Sequence, residues 1–524
     1  MKKQDIRLIT VIGCIYLALA LLSLLFVPNY AKAQPKPKYG GTLRILTNYR
    51  LTNIGDPRAI GSTSTSNAQM AVPSIETLVR PDEKGQPIPW LATGWKWTDD
   101  YKSITFTLRK GVKYHDGTDF NARSVKECLD MSRASPVNQG LSGITSIDVV
   151  DDYTVRLNLK GYSDDFLTGL YEGGGWMVSP TALKTQSKEW IATHPVGTGP
   201  FKIVSFERDV GIKWEKNKDY WLQGRPYLDG INYKMIADYT TSVLALESGE
   251  GDLHTWILGA DMDRMQKTTP GKYVVVGPWV GVDGFIFDSA NRDSPFADVR
   301  VRRAFWHAID ARAINEGLGY GLWIPNNQPC NNQFWAWNPD VKGYPYDPKK
   351  AKQLLAEAGY PSGFKTVVHL NPGVYSKDIV VAAQNYLTAV GIDMDINLVT
   401  GVGDTELSTK GWKGLRYNFM GTDLARQPIA FLRDNFSEVS PYNRSTSYPP
   451  MYTAKLLASL AEPDFAKRQA LAREAMKILI DDYCAVHLMM QVKSVQVRYP
   501  YVKGANFKEF WSRQWTPEQA WLDK

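Results

Sequence analysis

The most informative stretch of the chain is Trp90–Val125, which reads WLATGWKWTDDYKSITFTLRKGVKYHDGTDFNARSV. Apolar and polar side chains alternate over residues 104–108, and this period of two predicts a half-buried β-strand. Residues 99–100 before the strand and 115–117 after it are types that favour turns. Asn121 can then cap a helix that begins at the next residue. The stretch therefore predicts a hairpin, a turn and a capped helix, an arrangement that indicates no function by itself.

The central string of this stretch is more specific than its local structure. Leu108–Gly117, LRKGVKYHDG, closely resembles the signature region of the extracellular solute-binding proteins of peptide-type ABC importers, known as family 5. Four further segments resemble landmarks of that family and follow in its order: Tyr39–Arg44, Gly197–Phe201 with Trp214–Trp221, Phe296–Ala304, and Tyr346–Gly359. The resemblance indicates fold and general role more than ligand, because this family carries dipeptides, oligopeptides, nickel complexes, opines and sugars on one scaffold.

The resemblance implies a two-lobed periplasmic-binding-protein fold of the α/β class, class II-like, with a hinge and an inserted third domain. The family places the domain bounds as follows: lobe I at 34–72, 190–281 and 494–524, the inserted domain at 73–189, and lobe II at 282–493. No linker rich in Pro, Gly or Ser marks these bounds, as expected where the chain crosses a hinge in strands.

Apolar periodicity predicts individual elements along the chain. Helices are expected at 299–316, 348–358, 377–390 and 463–481. Strands are expected at 43–47, 155–159, 273–276 and 394–399. Both element types interleave throughout, which favours the α/β class on the residues alone.

Composition and charge restrict the function classes. The 524 residues are 44% hydrophobic and 22% charged, which is typical of a globular chain of two or three domains. The formal net charge is +7, and residues 1–33 carry +3 of it, so the rest of the chain carries +4. This charge is spread without a basic block, which argues against nucleic acid as a partner.

Residues 1–33 resemble a secretory signal peptide. Three basic residues within the first seven precede an uncharged run over 8–27, and Ala31-Lys32-Ala33 fits a cleavage site before Gln34. The run of 20 residues is also long enough to span a bilayer as a retained anchor. Both alternatives predict an exported, periplasmic protein, and the sequence leaves open whether it is cleaved or tethered.

Five residues lie where the family places its ligand cleft: Tyr49, Asn53, Trp279, Trp335 and Trp337. The first two follow the opening strand, Trp279 lies in the segment that crosses to lobe II, and the last two follow the helix that opens lobe II. Aromatic side chains supply rigid contact area and stack on peptide planes, sugars and cations. The alternative is packing in the core or between lobes, which must account for most of the 17 Trp and 27 Tyr.

Tyr417–Leu432, YNFMGTDLARQPIAFL, bears on the ligand class. In peptide-binding members of the family an aspartate here holds the free α-ammonium of the ligand, and Asp423 matches its place. A buried ammonium needs a paired carboxylate to offset its desolvation. Arg426 stands where acidic residues are usual, and a cation there favours an anionic ligand group instead. Asp423 is also a good turn residue, so a purely structural role stays open.

The sequence predicts a receptor and no enzyme. It contains neither a Gly-x-Ser-x-Gly elbow nor a His-Glu-x-x-His zinc motif. No cofactor or metal is expected, although Cys484 and His487 are three residues apart and could share a helix face. At most one disulfide can form among Cys128, Cys330 and Cys484.

The resulting interpretation is the substrate-binding component of an ABC importer. It would act as a monomer, capture a short peptide between its lobes, and deliver it to a permease in the inner membrane. An oligosaccharide or another non-peptide solute is the alternative with the same fold. A secreted polysaccharide hydrolase is the alternative from another class, and it would need two carboxylates about 5–10 Å apart across a cleft.

Overall fold

The structure is a computed structural model and describes residues 36–49, 51, 53–56, 70–82, 85–134, 141–172, 174–277, 279–372, 374–400, 402–421, 427–493, 495–505 and 515–524. The predicted signal segment lies outside these residues. Contacts divide the chain into Met1–Lys38 and Tyr39–Lys524, and the strands and helices of the described ranges belong to the second unit. No helix in those ranges is long and apolar enough to cross a membrane.

The strands, in chain order, are β1 Thr42–Thr47, β2 Glu76–Thr77, β3 Val79–Pro81, β4 Pro87–Pro89, β5 Ala92–Trp97, β6 Ser103–Leu108, β7 Ile144–Asp151, β8 Thr154–Leu159, β9 Trp176–Met177, β10 Phe201–Glu207, β11 Gly211–Lys216, β12 Gly230–Met235, β13 Leu253–His254, β14 Val274–Val276, β15 Trp279–Phe287, β16 Trp323–Ile324, β17 Phe364–Leu370, β18 Ile392–Leu398, β19 Leu415–Phe419, β20 Val486–Lys493, β21 Gln496–Arg498, β22 Val502–Lys503 and β23 Trp521–Leu522.

The α-helices are α1 Ala122–Ala134, α2 Phe166–Glu172, α3 Pro180–Thr185, α4 Lys188–Ile191, α5 Tyr239–Glu247, α6 Gly259–Thr268, α7 Val299–Ala308, α8 Ala311–Leu318, α9 Pro348–Glu357, α10 Lys377–Thr388, α11 Val402–Lys410, α12 Pro428–Asn435, α13 Pro450–Ala461 and α14 Phe465–Lys477. Short 3₁₀ turns occur at Pro295–Ala297 and Pro517–Gln519, and a π-helical turn at Ile478–Asp482 extends α14.

Three larger sheets organise the molecule. The first has the order β10-β11-β12-β1-β13-β21-β14, with β1 parallel to both of its neighbours. The second has the order β16-β20-β15-β19-β17-β18 and combines parallel and antiparallel pairs. The third, β5-β6-β8-β7, is antiparallel throughout. Each sheet packs on its own apolar core, which confirms the mixed α/β class. The domain bounds at residue level stay a prediction.

The signature region forms the predicted hairpin and capped helix. β6 pairs with β5, and the side chain of Asn121 accepts the backbone N–H groups of Arg123 and Ser124 at 3.0 and 3.1 Å. The turn between them contacts the second family landmark, because the N–H of His115 donates to the carbonyl oxygen of Gly197 at 2.8 Å. A Cβ at Gly197 would lie 2.2 Å from the carbonyl oxygen of Ser74, so this close backbone approach requires glycine there.

The helix predicted over 299–316 is wrong as a single element. Ile309 adopts extended backbone angles and separates α7 from α8. The carboxylate of Asp310 accepts the N–H of Ala313 at 3.0 Å and so caps a new helix. The apolar periodicity continues across this break because α7 and α8 pack on the same core. The cap at Asp310 starts a new helix there without changing the periodicity.

Two strand crossings connect the first and second sheets. β14 belongs to the first sheet and β15, which follows after two residues, belongs to the second. β20 and β21 make the return crossing. β14 pairs with β21, with Val276 opposite Gln496, and β15 pairs with β20, with Trp279 opposite Lys493. The sheets are therefore joined here by a two-stranded antiparallel ribbon.

Candidate functional site

The candidate site lies where β15 leaves this ribbon and enters the second sheet. Asp283 stands opposite Phe419 of β19 and Met490 of β20 in the strand register. Gly281, two residues earlier on the same strand, shares its face. A Cβ at Gly281 would lie 1.7 Å from an edge atom of the Phe419 ring, so that ring covers the glycine beside Asp283. A carboxylate and an aromatic ring therefore line one surface of the crossing strand.

The side chain of Asp283 has neither a hydrogen bond nor an ion pair to any residue that the structure describes. It is partly buried, and burial raises the pKa of its carboxyl to about 7. Burial raises the pKa of the phenols of Tyr375 and Tyr417. Both phenols are also close enough to the charge of Asp283 for it to raise their pKa further. The buried hydroxyl of Tyr417 also lacks a partner among the described residues. The Asp283 carboxylate and the Tyr417 hydroxyl thus both lack a partner in the described part of the chain, which is uncommon for polar groups removed from water.

The end of β19 beside Asp283 is held by Tyr375. Its hydroxyl donates to the Asn418 side-chain oxygen at 2.8 Å and accepts the N–H of Phe419 at 3.0 Å. The Phe419 ring meets the Phe431 ring edge-on, with 5.8 Å between centroids. Phe431 lies on α12, so α12 and β19 together position the aromatic wall of the site.

The described residues include five of the seven that the sequence predicts to bind ligand. Asp423 and Arg426 lie outside the described residues, between the end of β19 and the start of α12. Trp279 is the first residue of β15, on the same strand as Asp283. Tyr49 packs partly buried against the core of the first sheet, and Asn53 lies partly buried a few residues later. Their roles in ligand binding stay predictions.

Trp335 and Trp337 are partly buried against the core of the second sheet. Their carbonyl oxygens accept hydrogen bonds from Gln469 at 2.7 Å and Arg473 at 3.1 Å, which fixes their loop to α14. The guanidinium of Arg468 lies 5.8 Å from the centroid of the Trp335 ring. Trp335 is therefore next to the contacts that α14 makes with residues 162–165.

Residues 162–165, which directly precede α2, form ion pairs and hydrogen bonds with α12 and α14. Asp164 pairs with Arg468 at 3.2 Å and accepts a short hydrogen bond from the side chain of Gln427. Asp165 pairs with Arg433 of α12 at 2.9 Å. We call this set of four charged residues and Gln427 the ionic bridge. Gln427 also caps α12, since its side-chain oxygen accepts the N–H groups of residues 429 and 430 at 2.7 and 3.3 Å.

The ionic bridge is partly shielded from water. Burial raises the pKa of Asp164. Burial acts to lower the pKa of Arg433, but its bonds to Asp434 and Asp165 raise it overall. Screening is therefore weaker here than at exposed pairs such as that of Lys267 with Asp263.

Another buried carboxylate, Glu76, is fully satisfied. It accepts hydrogen bonds from Trp90, Thr198 and Tyr220, each at 2.7 Å, and from Trp221 at 2.9 Å. Four neutral donors stabilise it at the junction of β2 with the second family landmark, so we assign it a structural role. Asp283 has no such donors in the described chain, and this contrast distinguishes the two acids.

Sequence reasoning missed Asp283. In the run from Val282 to Phe287 it is a single acid within an apolar strand, and this signal could have identified it as an exception to the pattern. No group of three or more potential metal ligands comes together in the described ranges. Cys128, Cys330 and Cys484 are buried and form no disulfide with one another, and the Cys128 thiol donates to the carbonyl oxygen of Val178 at 3.0 Å.

Residues 86–428 match the family model described as bacterial extracellular solute-binding proteins, family 5 Middle. The glutathione-binding protein GsiB of Salmonella choleraesuis is 30% identical over 406 residues, which cover 74% of this chain and 78% of that protein. The heme-binding protein A of Haemophilus influenzae is 34% identical over 314 residues, and the match spans 54% of this chain and 56% of that protein. The periplasmic binding protein DppA from Helicobacter pylori, solved with the peptide STSA, matches with a TM-score of 0.79 at 26% identity, covering 93% of this chain and 99% of that one.

Proposed function

We propose a ligand class and a mechanism from one premise: this chain belongs to family 5 of the bacterial extracellular solute-binding proteins. It is accordingly a substrate-binding protein of an ABC importer, and it has the two-lobed fold of that family. Our proposal is that its solute is a short peptide, which it captures between the lobes as an exported monomer and delivers to a membrane permease.

The ribbon that joins the first two sheets is the observation that supports capture by closure. Only two residues separate β14 from β15, and the return crossing is equally short. A short pair of strands can bend while the packed sheets on either side stay rigid, which is how hinge proteins close on a ligand. Ligand contacts made with both lobes then stabilise the closed state relative to the open one.

A peptide is favoured by the relatives and by the carboxylate of Asp283, for which the described residues supply no counter-charge. GsiB is named for glutathione, and DppA holds the peptide STSA. A peptide carries an ammonium group that an acid on the crossing strand can bind. Heme-binding protein A, the relative with 34% identity, favours the second candidate, a non-peptide organic solute.

The test is to identify what the protein carries. The protein is purified from native envelopes without refolding and is then denatured. Mass spectrometry identifies the small molecules that it releases. Calorimetry with glutathione, Ser-Thr-Ser-Ala, heme and maltotriose then ranks the solute classes. We expect peptides to be released and to bind more tightly than heme or sugar. Release and tight binding of a non-peptide solute, with no peptide affinity, would contradict the proposal.

A further inference from the structure

Helix α13 is apolar on the side that packs on the core and also on the side that meets solvent. Its Tyr452, Leu456 and Leu460 are buried in the core of the second sheet. Its exposed side carries five apolar residues, Met451, Ala454, Leu457, Ala458 and Ala461. At 3.6 residues per turn these five fall within an arc of about 120°. A surface helix normally presents charged and polar residues on that side, so α13 departs from the usual pattern.

The exposed side of α13 is well suited to cover a partner. Met451 is 64% exposed and Leu457 is 43% exposed. Phe465 begins α14, four residues after Ala461, and is 52% exposed. Lys455, the one charged residue of α13, is partly buried and pairs with Glu474 of α14. We call the five exposed apolar residues of α13, together with Phe465, the apolar face. A contiguous apolar surface of this kind marks a protein interaction site.

The apolar face is continuous with the ionic bridge. The N–H of Asp164 donates to the carbonyl oxygen of Leu460 at 2.8 Å, so the end of α13 lies against residues 162–165. The Phe465 ring has its centroid 5.5 Å from the guanidinium of Arg468, which pairs with Asp164 at 3.2 Å. A partner seated on the apolar face would therefore contact the same helices that hold residues 162–165.

Acids at the edge of the apolar face restrict the class of partner. Glu462 and Asp464 stand between α13 and Phe465, and Glu438 is held beside α13 because its N–H donates to the Thr453 hydroxyl at 3.3 Å. An anionic lipid surface would repel these acids. A symmetric dimer through this face would bring the same acids towards their own copies. The complementary partner is a protein surface that is apolar at its centre and basic at its edge.

We infer that the apolar face is a docking site for the membrane permease of the importer. The inference rests on the delivery step of the proposed function and deepens it, since it assigns the surface through which the receptor meets its permease. The position beside the ionic bridge gives this surface a further use. Closure that forms or breaks the bridge changes the surroundings of the face, so a permease bound here distinguishes the closed receptor from the open one.

The first experiment places the photo-crosslinker p-benzoylphenylalanine at position 457 of the full chain in native envelopes. Position 398 is the matched control, because Leu398 is 48% exposed on β18 at the edge of the same sheet. We expect an adduct with a multi-pass permease subunit, identified by mass spectrometry, from position 457 only. Adducts with a second copy of this chain or with phospholipid alone, the lack of a permease adduct, or equal permease adducts from both positions would overturn the inference.

The second experiment measures uptake of labelled Ser-Thr-Ser-Ala by cells whose only copy of the receptor is wild type, Leu457→Glu or Leu398→Glu. Leu457→Glu should lower uptake by about tenfold or more, because docking would bury an unpaired charge. Its calorimetric affinity for the peptide and its melting temperature should match wild type, and Leu398→Glu should match wild type in all three measurements.

The two experiments separate failure of the inference from failure of the proposed function. Normal uptake by Leu457→Glu, or uptake that falls only in step with peptide affinity, would overturn the docking site while leaving a peptide receptor intact. If wild type does not bind the peptide, the proposed solute class is contradicted. The crosslinking result, which needs no added solute, then still decides whether the apolar face meets the permease.

Discussion

The buried Glu76 and the partly buried Asp283 show how acids divide between structural and functional roles. Glu76 accepts four hydrogen bonds from donors that belong to the fold. The Asp283 carboxylate has no donor among the described residues, so that part of the chain does not offset its desolvation. The same residue class is thus expected to stabilise the fold in one place and to bind ligand in the other.

The segment after β19 offers two candidate ligand contacts, Asp423 for an ammonium group and Arg426 for an anionic group, and mutation distinguishes them. Asp423→Asn should weaken binding of a peptide with a free N-terminus by about 2–5 kcal/mol if Asp423 holds its ammonium, because an unpaired buried charge remains. If the solute is an anion, Arg426→Gln should be the damaging change and Asp423→Asn harmless. Calorimetry on both variants with the identified solute decides between them. Unchanged affinity in both would reject the segment as a contact.

At the scale of elements, the ionic bridge links residues 162–165 to α12 and α14. α12 begins directly after the segment that carries Asp423 and Arg426, and Gln427 both caps it and bonds to Asp164. A ligand that contacts the segment before α12 would therefore act next to the pair of Arg433 with Asp165. We expect a closed state that keeps these contacts to release its ligand slowly.

Asp165→Asn removes one charge of the ionic bridge and leaves the proposed ligand subsite unchanged. Affinity should fall by about 1 kcal/mol, roughly fivefold, since the pair is only partly shielded from solvent. The loss should appear as faster dissociation in stopped-flow measurements. Asp263→Asn, which breaks an exposed pair on α6, is the matched control and should leave the rates unchanged. An unaltered dissociation rate in Asp165→Asn would show that the bridge does not contribute to closure.

For the whole molecule, the proposed mechanism treats the packed sheets as rigid bodies and the ribbon that joins them as the hinge. Small-angle X-ray scattering should give a smaller radius of gyration with saturating solute than without it, because closure brings the lobes together. Asp165→Asn should shift this change to higher solute concentration. A radius that is unchanged under saturation, confirmed by calorimetry on the same sample, would contradict closure.

Export is a separate prediction about the whole chain. N-terminal sequencing of protein from the native envelope should begin at Gln34 if the Ala31-Lys32-Ala33 site is cleaved. A start at Met1 with the protein in the membrane fraction would support the retained anchor. Either result leaves the proposed ligand chemistry unchanged, since that rests on residues of the second unit.

Much of the local structure and the family could be recognised from the residues alone. The alternation in β6, the Asn121 cap and the signature string could be recognised because each depends on residues close together in the chain. The break between α7 and α8 was missed because the shared apolar stripe outweighed the local signal of Asp310. Apolar periodicity reports which face of a helix is buried. A capping residue can interrupt the helix and leave that periodicity unchanged.

Which acid lacks a partner among the described residues depends on the tertiary structure. Whether Asp283 is satisfied depends on what β19 and β20 place opposite it, and these strands lie more than 130 residues further along the chain. The same holds for the ionic bridge, whose partners are more than 260 residues apart. The electrostatic cost of a charge is set by its neighbours in space. The sequence can therefore identify the class of receptor, while the fold decides which charges within it remain available to a ligand.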